Sequence, residues 1–106
     1  MPRRSRLAEG DLPDAALHVL LALTVPRHGY AVMQFLEDES SGAITMGPAS
    51  LYTTLKKLVE AELIAELPAD DSRRVYTLTP AGREALERSL DRRRQLLAMA
   101  DRILEN

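Results

Sequence analysis

Apolar side chains recur along this chain at helical spacing, broken by short polar segments, and give way once to a pair of short β-prone runs. Leu17, Leu20, Leu21 and Leu23 form the first helical stripe, with Asp14 as its expected N-cap and Pro26 as its stop. Arg27-His28-Gly29 reads as a tight connection into a second helix, expected from Tyr30 to Ser40, with Val32, Phe35 and Leu36 on its apolar side. Ser40-Ser41-Gly42 ends it, and Ile44-Thr45 reads as a short strand. Pro48 opens a third helix, because the missing proline N–H costs nothing in a first turn. There Leu51, Leu55 and Leu58 fall at i, i+4 and i+7, on one face. The runs from Ile64 to Leu67 and from Val75 to Leu78 flank the turn Asp70-Asp71-Ser72 and predict a hairpin.

Thr79-Pro80-Ala81-Gly82 opens the last helix, with Thr79 as N-cap and Pro80 at the first helical position. The helical pattern continues to about Leu104. Leu86, Leu90, Leu97, Ala100 and Leu104 form a stripe that Leu96, Met99 and Ile103 widen towards the end. A small domain has no use for so long a stripe, so Leu86, Leu90, Leu97 and Leu104 are expected to bind a second copy of the chain. Arg93 falls inside the stripe, which predicts a local break or a snorkelling side chain. The expected fold class is mostly α with a small β-hairpin: a winged helix-turn-helix plus a long C-terminal dimerisation helix. Residues 1–13 would be a flexible basic arm carrying Arg3, Arg4 and Arg6, residues 14–79 the winged helix, and residues 80–106 the dimerisation helix.

Composition narrows the function. A chain of 106 residues, 45% hydrophobic and 28% charged, suits one soluble globular domain. The absence of cysteine excludes disulfides, thiolate metal sites and a cysteine nucleophile. His18 reads as a packed residue and His28 as support for the turn between helices, so no metal and no cofactor are expected. The apolar run from Ala15 to Val25 is too short to span a bilayer, and Glu9, Asp11 and Asp14 interrupt any leader pattern. The expected location is the cytoplasm, without a membrane partner. No nucleophile–base spacing or phosphate loop supports an enzyme.

A net charge of −2 and a pI near 5.7 run against the usual basic balance of a small DNA-binding domain. The positive charges are nevertheless clustered, at Lys56–Lys57 and Arg73–Arg74 among other places. On the third helix Thr53 and Lys56 point away from the leucine face, flanked by Ser50, Tyr52 and Lys57. In a major groove these groups can bond bases or phosphates. Arg73 and Arg74, at the hairpin turn, suit phosphates or the minor groove. The bland alternative is a solvated helix face, with the arginine pair compensating Asp70 and Asp71. A helical dimeric adaptor or anti-regulator that never touches DNA is the competing function.

The order of elements and several local motifs resemble the PadR-type transcriptional regulators, of the short kind with one C-terminal helix. The resemblance rests on His28-Gly29-Tyr30, on Gly47-Pro48-Ala49-Ser50-Leu51-Tyr52 with Leu55, Lys57 and Leu58, and on Leu63-Ile64. It resumes at Arg73-Arg74-Val75-Tyr76 and at Leu78-Thr79-Pro80-Ala81-Gly82-Arg83. It implies a sequence-specific regulator, expected to be a repressor, that binds a pseudo-palindromic operator in double-stranded DNA as a homodimer. It leaves room for a small-molecule effector of unknown identity. Glu62 stands where the family usually has glycine, which is expected to alter the turn after the third helix. Ser50 stands where threonine is commoner and keeps the hydroxyl. The chain has no tryptophan, so binding of flat drugs between paired tryptophans does not carry over.

Overall fold

The structure, a computed structural model, describes residues 12–69 and 73–105. Arg3, Arg4 and Arg6 of the expected arm, and the turn Asp70-Asp71-Ser72, lie outside the described residues. The elements follow in the order α1 (Asp14–Ala22), β1 (Arg27–His28), α2 (Gly29–Glu39), α3 (Pro48–Glu60), β2 (Ile64–Leu67), β3 (Val75–Leu78) and α4 (Pro80–Glu105). The strands form one antiparallel sheet in the order β1-β3-β2.

The ends of α1 are built differently from expectation. Pro13, with φ −60° and ψ 158°, is the N-cap, and Asp14 is the first helical residue. There its charge meets the positive end of the helix dipole. At the other end the Ala22 carbonyl accepts a 2.7 Å bond from Arg27 Nε, and the same guanidinium lies 3.9 Å from the centre of the Phe35 ring. A cation at a helix C-terminus and over an aromatic face is favourable on both counts. Pinned in this way, the segment after Pro26 runs extended. Arg27 pairs with Tyr76 and His28 with Val75, so the expected tight connection is a third strand of the sheet.

Ile44-Thr45 is not a strand. The Ile44 N–H donates to Ser40 Oγ at 2.8 Å, inside the turn that closes α2, and the Ile44 side chain packs on the core. That turn places Ser41 at φ 54° and Gly42 at φ 85°, and Gly42 N donates to Glu37 O at 2.8 Å. This is the left-handed closure of a Schellman motif. The same closure ends α3. Glu62 sits at φ 61°, Glu62 N donates to Val59 O at 3.0 Å, and Leu63 N donates to Leu58 O at 3.0 Å. The glutamate therefore keeps the turn it was expected to alter, because these two bonds hold it in a region that costs a non-glycine residue about 1–2 kcal/mol.

The core joins α1, α2, α3 and the start of α4 over the sheet. Leu20, Leu23, Leu51, Leu55, Leu58, Ile64, Val19 and Val32 are its largest fully buried side chains. Each such side chain contributes about 1.5–3 kcal/mol through its removal from water. The leucines of α3 are the i, i+4, i+7 set expected from the sequence. Thr79 caps α4 as expected: its Oγ1 accepts from Gly82 N at 3.0 Å and donates to Glu62 O at 2.8 Å. The helix can come this close because residue 82 lacks a side chain; a Cβ there would overlap the Leu63 carbonyl oxygen.

One face of α4 buries Gly82, Ala85, Leu86 and Ser89, with Leu90 half-buried against the same core. Leu86, expected among the dimer contacts, is packed into the core of its own chain, where α1 lies against α4. At Arg93 the helix does not break, and the side chain reaches the partly exposed edge of the domain. Its Nη2 bonds the Asp14 carboxylate at 2.8 Å and the Leu12 carbonyl at 3.3 Å. Beyond it, Leu96, Leu97, Met99, Ile103 and Leu104 are all exposed.

Candidate nucleic-acid interface

The leucine face of α3 turns inwards, so its opposite face is left outside. Ser50, Tyr52, Thr53, Lys56 and Lys57 are all exposed. The helix begins after Gly47, which has φ −79° and ψ 164° and makes no side-chain cap bond, and Pro48 follows in the first turn. Arg73 and Arg74, also exposed, precede β3.

Two adjoining grooves connect these groups. The first, about 410 Å³, lies where the start of α2, the α3 surface and the wing, the β2–β3 hairpin, meet, and is lined by His28, Tyr30, Tyr52, Arg73, Arg74 and Tyr76 among others. The second, about 430 Å³, runs between α3 and the wing, with Tyr52, Lys56, Glu60, Glu66 and Arg74 among its walls. Tyr52, Arg74 and Tyr76 border both. The fold thus brings Tyr52, Lys56, Arg73 and Arg74 into one region. Ser50, Thr53 and Lys57 are exposed but line neither groove.

Local packing fixes Tyr52. Its ring stands close to Gly29, where an added Cβ would lie 3.3 Å from Cε1, so the start of α2 rests directly on α3. Tyr30, at the first turn of α2, is 71% exposed and faces the first groove; sequence reasoning missed it, although His28-Gly29-Tyr30 was the available signal. His28 reaches this region through the β1–β3 pairing, and its Nδ1 is buried with no hydrogen-bond partner among the described residues.

The wing arginines are less simple than their spacing suggests. Arg74 Nε lies 3.0 Å from Glu66 Oε1. Glu66 pairs directly with Tyr76, so Arg74 is its diagonal neighbour across β2 and β3. Among the described residues the compensating acid for Arg74 is therefore Glu66, on the strand. Both side chains are largely open to water, at 72% and 42%, where an ion pair contributes about 0–1 kcal/mol.

Among the described residues no group of His, Asp or Glu side chains is arranged to hold a metal, and no helix is long and apolar enough to cross a membrane.

Comparison with known proteins extends this geometry. Residues 17–88 match the transcriptional regulator PadR-like family. A stretch of 76 residues is 43% identical to an uncharacterized 37.1 kDa protein in transposon TN4556 of Streptomyces fradiae; the match takes in 71% of this chain but only 21% of that protein. A PadR family transcriptional regulator from Eggerthella lenta superposes with a TM-score of 0.76 at 25% identity, covering 94% of this chain and 87% of the other. A PadR family regulator from Clostridium difficile gives 0.73 at 18% identity, over 87% of this chain and 99% of the other. Bacillus subtilis PadR, solved in complex with operator DNA, gives 0.64 at 22% identity, over 73% of this chain and 46% of the other. The latter two likenesses speak to the winged-helix fold alone. The family match itself runs from the first core leucine of α1 past Leu86, through α3 and the wing, and on it the chain belongs to the PadR-like family of transcriptional regulators.

Proposed function

We propose that the protein is a sequence-specific repressor that binds a pseudo-palindromic operator as a homodimer in the cytoplasm. The observation that carries this reading is the shared groove surface of α3 and the wing, with Tyr52, Lys56, Arg73 and Arg74 on its walls. In this reading α3 enters the major groove, where Thr53 and Lys56 stand farthest from the buried leucines and meet base edges. Ser50, Tyr52 and Lys57 flank them on the backbone side. Arg73 and Arg74 reach phosphates or the minor groove beside the helix. The operator complex known for the Bacillus subtilis relative supports DNA as the partner. Residues 14–79 then act as the DNA-binding unit and residues 80–106 as the dimerisation helix. Leu97 and Leu104, with Leu96, Met99 and Ile103, supply the apolar contact, while Leu86 and Leu90 hold the helix to its own domain.

The net charge of −2 favours a second reading, a dimeric adaptor that does not bind DNA. Gel-shift titration with genomic fragments separates the two. For the repressor, affinity should fall on the order of a hundredfold or more between about 50 and 200 mM salt, since phosphate contacts release counterions. Lys56→Ala should cost roughly 1–3 kcal/mol on the operator and relax preference at one base position. Replacing Arg73 and Arg74 together by alanine should weaken all duplexes by similar factors and lower the salt slope. A near-flat salt response would select the adaptor, and lost sequence preference in the wing variant alone would move base readout from α3 to the wing.

A further inference from the structure

Among the described residues, the groove between α3 and the wing is lined by as many acids as bases. Lys56 and Arg74 line it, and so do Glu60 and Glu66. Arg74 is directly engaged there, 3.0 Å from Glu66, across a register that places the two as diagonal neighbours. Any phosphate that Arg74 is to hold must compete with a carboxylate already in its reach.

We propose that Glu66 is a built-in competitor with the DNA backbone for Arg74, and that it attenuates binding to duplex of any sequence. The proposal rests on the DNA-binding reading above. Sequence-independent affinity comes mainly from neutralising phosphates and releasing their counterions. When Arg74 leaves Glu66 for a phosphate, one DNA counterion is released, but one carboxylate is left unpaired beside a negatively charged backbone. The exchange gains no ion pair, so Arg74 stays largely with Glu66, neutralises little phosphate, and adds little to the salt slope or to non-specific affinity. An exposed pair is easily opened, so the exchange is not forbidden, only unrewarded.

The test is fluorescence anisotropy of a labelled duplex of random sequence, titrated with the full chain from about 50 to 200 mM potassium chloride. The wild type is compared with Glu66→Gln, Arg74→Ala and the double variant. Glu66→Gln should bind about two- to fivefold tighter at the lowest salt, the range that corresponds to an exposed ion pair. Its slope of log affinity against log salt should steepen by about 0.9, one phosphate's worth. Arg74→Ala should keep nearly the wild-type slope, and the double variant should behave as Arg74→Ala does. Glu66→Thr, which suits a strand, repeats the measurement should glutamine disturb β2. A gain that persists without Arg74 would make Glu66 a diffuse repulsive charge and overturn the proposal. Weaker binding by Glu66→Gln would overturn it too, since Glu66 would then be aiming Arg74 at the backbone. A wild-type chain that binds no duplex at any salt would instead sink the DNA-binding reading itself.

Discussion

The two halves of α4 carry the same apolar repeat and meet opposite surroundings. Leu86 and Leu104 are separated by five full turns of 3.6 residues, so they lie on one face. The first is 4% exposed and the second 83%. Nothing in the helix separates them, since α4 runs without interruption from Pro80 to Glu105. The difference is what lies alongside. α1 and the turn after α3 cover the proximal half, through Ala85, Leu86 and the tight approach at Gly82. Past Leu12 and Asp14, where Arg93 is tied, no described element packs against the face. Periodicity reports which residues share a face; neighbouring elements decide whether that face is spent on the fold or left for association.

The strongest way to break this comparison is to place a charge in each half. Leu86→Asp buries an unpaired carboxylate in the core, on top of losing the leucine, and should unfold a marginally stable domain. Leu97→Asp and Leu104→Asp should leave the circular dichroism spectrum and the domain's melting intact and abolish association, read by sedimentation or light scattering. A folded Leu86→Asp, or a Leu97→Asp protein with an unchanged oligomeric state, would erase the distinction.

Gly82→Ala attacks only the proximal half. The new methyl meets the Leu63 backbone, which cannot swing aside as a flexible side chain would, so a loss of about 1–3 kcal/mol is expected in chemical denaturation. A melting curve identical to wild type would mean that α4 can lift away from β2 at no cost. Glu62→Gly works in the opposite direction. It relieves a left-handed non-glycine residue whose carbonyl anchors the Thr79 cap of α4, and should add about 0.5–1 kcal/mol to the domain without altering self-association. Destabilisation there would show that the glutamate side chain contributes something its geometry does not reveal.

The smallest effect belongs to the boundary between the halves. The Asp14 carboxyl is held below its ordinary value of 3.8, first by its hydrogen bond to Arg93 and then by that residue's charge. A depressed carboxyl pKa favours the folded state above the unfolded value and loses that contribution as pH falls through the folded one. Arg93→Met should therefore melt slightly below wild type near about pH 6, and the two curves should converge near about pH 2. A gap that stays constant across that range would assign the effect to the Leu12 carbonyl contact and to packing, not to the ion pair.

Local sequence determined a great deal of this protein. Leu51, Leu55 and Leu58 specify the buried face of α3 and, by exclusion, the exposed face with Thr53 and Lys56, because a helix has one period and one way to satisfy it. Thr79-Pro80 specifies the start of α4, since capping is settled within one turn. The pairs and neighbours that cross the chain were not legible in this way. A two-residue strand such as β1 has no periodicity to detect; it exists because Arg27 is pinned to Ala22 and Phe35 beside the open edge of β3. Arg74 meets Glu66 because of a strand register, and Arg93 meets Asp14 because two helices cross. The fate of Leu86 against Leu104 is of the same kind. Residue type and spacing determine what a segment can offer, because those properties act over a few bonds or one helical turn. Which partner takes up the offer is decided only when distant segments are packed together, where burial and charge pairing act through space.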